Sequence, residues 1–173
     1  MFASRPLRPL AIGTAFILAA CNGDKPKADA TVAPPANAQA TPAPAADPAT
    51  TTFAAALAVD LGRMTHTASG LYYKDLVVGT GARADSGKTV SVHYTGYLAD
   101  GTMFETSTKG TPIEFPLGMG RVVQGWDQGL PGMKVGGKRQ LVIPAALGYG
   151  DMGSGPIPAG AIMVFTVELM GVK

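Results

Sequence analysis

Alternation of apolar and polar residues is the main pattern in the second half of the chain, and it predicts β-strands. In the run KTVSVHYTGYLADG, the apolar side chains of Val90, Val92 and Tyr94 alternate with polar ones. One face of this strand is therefore predicted to be buried, and the strand ends at Asp100-Gly101, a common turn sequence. The strands predicted in this way cover residues 71–79, 88–101, 102–105, 136–144 and 161–172.

A single short helix is predicted among these strands, at VVQGWDQGL, residues 122–130. This run contains Trp126, the only tryptophan of the chain, between two glycines and several polar residues. Pro131 follows the run and ends the element. A further helical turn is expected at residues 145–147. An antiparallel sheet with one small helix to cover a face is typical of the α+β class.

The aromatic residues of the predicted strands and loops are placed to form a pocket with Trp126. A short helix that packs across a twisted sheet leaves a concave gap, and Trp126 is expected to form its floor. A single aromatic residue on a strand is most often ordinary core packing. Several together, two of them tyrosines whose hydroxyls need partners when buried, instead indicate a ligand site. The residues expected to form its walls are Tyr94, Phe104, Phe115, Tyr149 and Phe165.

The first residues of the chain have the features of an export signal. Arg5 and Arg8 precede an apolar run, LAIGTAFILAA, which is too short to span a bilayer comfortably. The run is followed by Cys21, the only cysteine of the chain, and the sequence LAAC resembles the lipobox of bacterial lipoproteins. Residues 1–21 are therefore predicted to be a lipoprotein signal peptide. The alternatives are a buried thiol, or an ordinary signal peptide with a cysteine by chance.

The lipobox resemblance also predicts a location in the bacterial cell envelope. A lipidated Cys21 is expected to anchor the protein to a membrane, because several acyl chains on one terminus give stable binding. Asn22 rather than an aspartate follows the cysteine. By resemblance to lipoproteins of enteric bacteria, this favours the outer membrane, with the protein facing the periplasm.

Residues 22–65 are predicted to be a semi-extended tether that is rich in proline and alanine. Within it, alanine and leucine recur at helical spacing in residues 53–64, so a short helix is expected there. Alternatively, this run is only the ordered end of the linker. The folded domain is expected to cover residues 66–173.

The charge of the chain argues against some classes of partner. Only 15% of the residues are charged, and without Arg5 and Arg8 the chain has twelve basic and twelve acidic residues. No basic stripe is present, so no nucleic-acid partner is expected. One cysteine and two separated histidines, His66 and His93, do not form a metal-binding pattern. No metal or other cofactor is therefore expected.

Four runs of the chain together resemble FKBP-type peptidyl-prolyl cis-trans isomerases. They are SGLYYKDLVVGTG, VSVHYTGYLADGTMFETS, FPLGMGRVVQGWDQGLPGMKVGGKRQLVIPAALGYG and IPAGAIMVFTVELM, which follow one another in the family's order within residues 68–173. The resemblance implies a twisted antiparallel sheet of five or six strands wrapped around one short α-helix, in agreement with the α+β class. It also implies a peptidyl-prolyl isomerase, here in a bacterial lipoprotein form.

The same resemblance implies which residues form the proline-binding site. Phe104, Trp126 and Phe165 would hold the prolyl ring. The backbone amide of Val123 and the hydroxyl of Tyr149 would donate hydrogen bonds to substrate carbonyls. The implied catalytic residues are Tyr94, Phe104, Glu105, Trp126, Tyr149 and Phe165, and the implied substrate-binding residues are Phe115, Val122, Val123 and Ile157.

The chain departs from the pattern of the best-studied family members at several positions. Glu105 stands where those members have aspartate, so its carboxylate lies one methylene further out. Ile113 replaces a frequent aromatic residue at the pocket edge, which should weaken contact with residues flanking the proline. Ala159 and Gly160 replace a more usual proline and polar residue, so a looser loop is expected at the rim.

Rotation about an Xaa-Pro bond requires no nucleophile, metal or cofactor. The expected partners are proline-containing segments of exported proteins and, by family resemblance, FK506- and rapamycin-type inhibitors. Two other functions stay open: a module that captures proline-containing segments with little turnover, and a structural envelope lipoprotein that has kept the fold alone. A monomer is expected, because the tether lacks the long helical dimerisation module of some family members.

Overall fold

The computed structural model describes residues 46–173. The predicted signal peptide, its Cys21 and the tether up to residue 45 lie outside the described residues. No helix within residues 46–173 is long and apolar enough to cross a membrane.

The described chain forms one antiparallel sheet of seven strands, with one α-helix, α1 (Gln124–Gly129). The strands are β1 (Thr65–His66), β2 (Tyr72–Val77), β3 (Thr89–Leu98), β4 (Met103–Thr106), β5 (Ile113–Pro116), β6 (Lys138–Ile143) and β7 (Met163–Val172). Their order in the sheet is β1-β2-β6-β7-β3-β4, and β5 pairs with β3. The predicted α+β class, an antiparallel sheet around one short helix, is confirmed.

Two of the strands, β1 and β5, are not predicted by the sequence pattern. β1 has only two residues, and β5 has four and ends at Pro116. Neither is long enough to show a clear alternation of apolar and polar residues. The other five strands and α1 begin and end within three residues of the predicted positions.

Strand β3 is next to last in the strand order and pairs with three strands, β4, β5 and β7. Its side chains alternate as predicted: Val90, Val92 and Tyr94 are buried, whereas the residues between them are only half-buried. Because the burial repeats every second residue, one face of β3 points to the core under α1. The residues of the predicted pocket lie on or beside this face.

Helix α1 packs directly on β6 through two glycines. A β-carbon added to Gly125 would lie 2.6 Å from Ile143, and one added to Gly129 would lie 2.7 Å from Leu141. Both distances are far below van der Waals contact, so a larger residue would push the helix away from the sheet. The glycines that flank Trp126 are thus explained by the close approach of α1 to β6.

A chain segment before the predicted domain covers the opposite face of the sheet. This outer segment, residues 46–64, contributes Leu57 and Met64 to a second buried cluster with Val142, Ile162 and Val164. The Gln140 amide donates a buried hydrogen bond of 2.7 Å to the Leu57 carbonyl. The Ala54 amide donates one of 2.8 Å to the Ala99 carbonyl. The segment is therefore part of the folded unit.

This packing differs from the predicted boundary at residue 66 and from the short helix expected in residues 53–64. The structure has two 3₁₀ turns there, Ala55–Leu57 and Leu61–Arg63. The first turn ends at Ala58, whose φ of 48° is left-handed, so the run cannot continue as one helix. Its apolar residues pack on the sheet, although the proline and alanine content of the whole tether indicates an extended chain.

We expect Leu57→Ala to lower the free energy of unfolding by about 2 kcal/mol, because it removes a buried side chain and leaves a cavity. Leu76, which is 46% exposed on β2, offers the matched control. Leu76→Ala should change the free energy of unfolding by less than about 0.5 kcal/mol. Urea unfolding measures both free energies. A loss for Leu57→Ala as small as that for Leu76→Ala would contradict the stabilising role of the outer segment.

Candidate functional site

A cluster of aromatic rings surrounds Trp126 on the inner face of the sheet. The Tyr94 ring meets the indole edge-to-face, with centroids 5.0 Å apart and planes at 78°. Phe165 on β7 meets it in the same way at 5.3 Å and 87°. Phe115 on β5 lies against the indole at 5.7 Å. Edge-to-face contacts between rings are favourable beyond the area they bury, so they fix the orientation of the indole.

A glycine on β3 allows the rings of Phe104 and Phe165 to meet. A β-carbon at Gly96 would lie 2.6 Å from Phe104 and 2.8 Å from Phe165. Without a side chain there, Phe104 on β4 packs edge-to-face on Phe165, with centroids 5.6 Å apart. Gly96 thus makes room for the aromatic wall of the pocket.

The rings border an open pocket of about 250 Å³. Trp126 and Phe165 are almost fully buried, whereas Tyr149 is 40% exposed. The floor is therefore rigid and apolar, and the polar groups lie toward the mouth. The lining residues are Tyr94, Glu105, Ile113, Arg121, Val122, Val123, Trp126, Tyr149 and Phe165.

The structure brings together most of the residues predicted for the site. Three of them lie behind the lining rather than in it. Phe104 supports Phe165, and Phe115 supports Trp126. Ile157 is buried in the same core cluster as the pocket rings. The predicted catalytic and binding residues that line the pocket are Tyr94, Glu105, Val122, Val123, Trp126, Tyr149 and Phe165.

Arg121 lines the pocket but is absent from the predicted set. Ile113, expected at the pocket edge, also lines it. A sequence signal for Arg121 existed, since it directly precedes Val122 and Val123. A single arginine in a loop is most often a solvated surface residue, so the sequence alone does not indicate that Arg121 lines the pocket.

The backbone amide of Val123 and the hydroxyl of Tyr149 are pocket donors that have no partner among residues 46–173. The amide of Val123 donates no hydrogen bond, although its carbonyl accepts one of 2.9 Å from the Trp126 amide. The Tyr149 hydroxyl makes no hydrogen bond to a described residue either, and it is partly exposed. Both donors are therefore available to acceptor groups of a ligand, such as peptide carbonyls.

The indole N–H of Trp126 is buried and has no acceptor among the described residues. An unpaired buried donor costs about 1–3 kcal/mol. Ring packing on Tyr94, Phe115 and Phe165 must offset that cost. The position of the tryptophan is thus set by ring packing and not by a hydrogen bond to a described residue.

The environment of Tyr94 keeps its hydroxyl protonated. Burial raises the pKa of Tyr94, and the neighbouring carboxylate of Glu105 raises this pKa further. Because each effect disfavours the phenolate, the hydroxyl remains a neutral hydrogen-bond donor well above neutral pH.

The polar face of β3 lies apart from the pocket. His93 lies on the other face of the strand from Tyr94, and its Nδ1 is 3.2 Å from the Ser107 hydroxyl. Among residues 46–173, no three His, Cys, Asp or Glu side chains lie close enough to share a metal ion. The pocket itself offers a flat apolar floor and donors at its mouth, an arrangement that suits a cyclic apolar group flanked by carbonyls.

The chain is similar to known proteins both in sequence and in fold. A family model described as FKBP-type peptidyl-prolyl cis-trans isomerase matches residues 81–170. The chain is 49% identical over 105 residues to the FK506-binding protein of Neisseria meningitidis serogroup B, across 60% of this chain and 96% of that protein. It is 54% identical over 91 residues to FK506-binding protein 2 of Debaryomyces hansenii, across 52% of this chain and 67% of that protein.

A solved structure shows the same fold. FkpA from Escherichia coli matches with a TM-score of 0.60 and 41% sequence identity, across 64% of this chain and 52% of that chain. This chain therefore spans only about half the length of FkpA and two thirds of the Debaryomyces hansenii relative, but nearly all of the Neisseria meningitidis relative.

We expect ionisation of Tyr94 in the unfolded chain to lower the free energy of unfolding at alkaline pH. The folded-state pKa of Tyr94 is raised, whereas an unfolded tyrosine has a pKa of about 10. Its contribution is therefore fully present below about pH 10, and the free energy of unfolding falls above that pH as the unfolded chain loses the proton. Urea unfolding at about pH 8 and pH 11 measures this fall.

Tyr94→Phe should show a smaller fall than the unmodified chain. Tyr97→Phe is the matched control, since Tyr97 is on the same strand but packs in the outer cluster. If Tyr94→Phe and Tyr97→Phe change the fall equally, Tyr94 does not have the environment described above.

Proposed function

Because this chain belongs to the family of FKBP-type peptidyl-prolyl cis-trans isomerases, we propose that it accelerates rotation about Xaa-Pro bonds in exported proteins while a lipid on Cys21 holds it at a membrane. The observation that best supports this substrate is the combination of an apolar floor, Trp126, with the Val123 amide and the Tyr149 hydroxyl, two donors in the lining that have no partner among residues 46–173. A prolyl ring fits such a floor, and the carbonyls on either side of it need such donors.

The chemistry of the bond explains why a pocket of this kind is sufficient. The planar amide is stabilised by resonance, and rotation has a barrier of about 18–20 kcal/mol. Uncatalysed rotation takes tens to hundreds of seconds. Twisting the bond localises the nitrogen lone pair and reduces the charge separation of the amide. An apolar site therefore favours the twisted form over the planar one, which lowers the barrier.

Each pocket residue has a proposed role in holding the twisted substrate. Trp126 and Phe165 contact the prolyl ring, and Phe104 keeps Phe165 in place. The Val123 amide and the Tyr149 hydroxyl donate to carbonyls next to the proline, so that rotation occurs about a fixed axis. Val122 and Ile157 complete the apolar surface, one in the lining and one behind it.

The proposed role of Glu105 is electrostatic and not proton transfer. Its carboxylate lies beside Tyr94, whose pKa is raised first by burial and then by this carboxylate. Rotation about a C–N bond moves no proton, so a general base has nothing to abstract. Glu105 instead keeps the Tyr94 hydroxyl neutral and shapes the charge at the mouth of the pocket.

The same pocket is the proposed binding site for FK506- and rapamycin-type inhibitors. Relatives of this chain bear the name FK506-binding protein. An inhibitor that places a cyclic apolar group on Trp126 and an acceptor at the Val123 amide would compete with a prolyl substrate for both contacts.

The proposed location is the bacterial cell envelope, at the outer membrane and facing the periplasm. The support is the apolar run before LAAC, together with Asn22 after the cysteine. The sequence between Asn22 and the outer segment is rich in proline and alanine, a composition typical of semi-extended linkers, and it is the proposed tether between the isomerase domain and the lipid surface. Exported proteins that fold near that surface are the proposed substrates.

We expect Tyr149→Phe to lower kcat/KM on an Xaa-Pro peptide by roughly two- to tenfold, because a net hydrogen bond is worth about 0.5–1.5 kcal/mol. Glu105→Gln keeps the size of the side chain and should retain most of the activity. A protease-free isomerisation assay measures both variants, with circular dichroism as the folding control. Abolished turnover in a folded Glu105→Gln protein would falsify the mechanism without proton transfer.

We expect Cys21→Ser to release the protein from membranes or to leave an unprocessed precursor. Cell fractionation in a bacterium with two membranes, with mass spectrometry of the mature terminus, measures this. Asn22→Asp is the matched control, because it leaves the cysteine in place and should change only the membrane in which the protein is found. A mature terminus elsewhere, without lipid, would contradict the proposed anchor.

The proposed assembly state is a monomer once the lipid is removed. The outer segment already covers the second apolar face of the sheet, which would otherwise be available to a partner. Sedimentation velocity of the delipidated chain at micromolar concentration should show a single species of one-chain mass. A stable dimer under these conditions would contradict the proposal.

A further inference from the structure

Arg121 is the only cationic residue among the described residues that line the pocket. It lies in the loop between β5 and α1 and is exposed to solvent. The same loop leads to Val123, whose amide is proposed to hold a substrate carbonyl. A substrate residue that occupies this part of the pocket is therefore within reach of a long arginine side chain.

Arg121 has no ionic partner within residues 46–173. It forms no ion pair there, whereas the arginines at positions 63, 83 and 139 each pair with an aspartate. Glu105, the other charged residue of the lining, also forms no ion pair with a described residue. The pocket mouth thus has two opposite charges that do not neutralise each other.

The loop that bears Arg121 is fixed to the helix. Both carboxylate oxygens of Asp127 accept backbone hydrogen bonds, one from Gly118 and one from Gly120, each 2.8 Å long. Two charge-assisted hydrogen bonds from the residues just before Arg121 restrict where its backbone can lie. Arg121 is consequently held at the rim, and only its side chain needs to be ordered when a substrate binds.

We propose that Arg121 makes the enzyme prefer substrates with an acidic residue directly before or after the proline. This inference rests on the proposed isomerase function of the same pocket. A guanidinium offers several donors in a planar fork that matches a carboxylate, and a lysine at the same substrate position would be repelled. Glu105 lies on β4 beside Tyr94, whereas Arg121 lies in the loop before α1, and the two residues form no ion pair with each other.

General attraction by the whole protein does not account for such a preference. The chain without Arg5 and Arg8 has equal numbers of basic and acidic residues. Selection among charged substrates must therefore come from local charges. The expected preference is modest, roughly two- to fivefold, because ion pairs at exposed positions are weak.

The test uses the full chain in a non-ionic detergent and pairs of peptides that differ only in Glu or Gln at one position beside the proline. For each enzyme variant, kcat/KM for the Glu peptide is divided by kcat/KM for its Gln partner. This ratio does not depend on the overall activity of the variant. In the unmodified chain, this ratio should exceed one at one of the two positions. Arg121→Gln should bring it to about one, Arg121→Glu should bring it below one, and about 1 M salt should abolish it.

Arg63→Gln is the matched control, since it removes the same charge from the outer segment, where Arg63 is highly exposed. It should leave the ratio as in the unmodified chain. A ratio of one at both positions in the unmodified chain, or a ratio that Arg121→Gln does not change, would overturn the inference.

Fluorescence of Trp126 separates this inference from the proposed function. Trp126 is the only tryptophan, so its emission reports occupancy of the pocket without turnover. Charge-dependent binding without turnover would support the role of Arg121 and contradict the isomerase function. Turnover without charge dependence would contradict only the role of Arg121, and neither binding nor turnover would contradict both.

Discussion

The close approach of α1 to β6 is the constraint on which the rest of the structure depends. Gly125 and Gly129 place the helix backbone where a β-carbon would collide with Ile143 and Leu141. At that distance the indole of Trp126 packs edge-to-face with the rings of Tyr94 and Phe165. A helix displaced by one side-chain layer would separate these rings, and the apolar floor would be lost. The geometry of the pocket is thus a consequence of two absent side chains.

The contact between α1 and β6 is stabilised because the other face of the sheet is covered by the outer segment. Strand β6 is buried on the side of α1 and also on the side of the outer segment, because Val142 and Gln140 contact residues from 46–64. The strand that supports the helix is therefore held from behind as well. A single short helix of six residues has little stability of its own, so its position is set by the sheet beneath it.

The sequence pattern predicts the elements whose burial repeats regularly and misses those defined by distant partners. β3 and α1 are recognisable because Val90, Val92 and Trp126 stand out against polar neighbours. β1 is not, since two residues show no periodicity before the strand that they pair with is known. In the outer segment the helical spacing of alanine and leucine predicts a helix, whereas packing on the sheet gives two 3₁₀ turns. For the site, the residue type predicts the aromatic members, whereas the position of Arg121 in the lining follows only from the folded position of its loop.

The pocket combines aromatic rings that are held by packing with hydrogen-bond donors that have no partner within the described chain. Its rings contact one another and hold their orientation, which means that binding requires no rearrangement of the floor. The Val123 amide, the Tyr149 hydroxyl and Arg121 have no partners within the described chain. A rigid apolar surface next to unsatisfied donors favours a ligand that is apolar at its centre and polar on both sides. A proline within a peptide has this arrangement, because its ring lies between two backbone carbonyls. The selectivity of the site for such segments therefore follows from packing and hydrogen bonding, without a chemically reactive side chain.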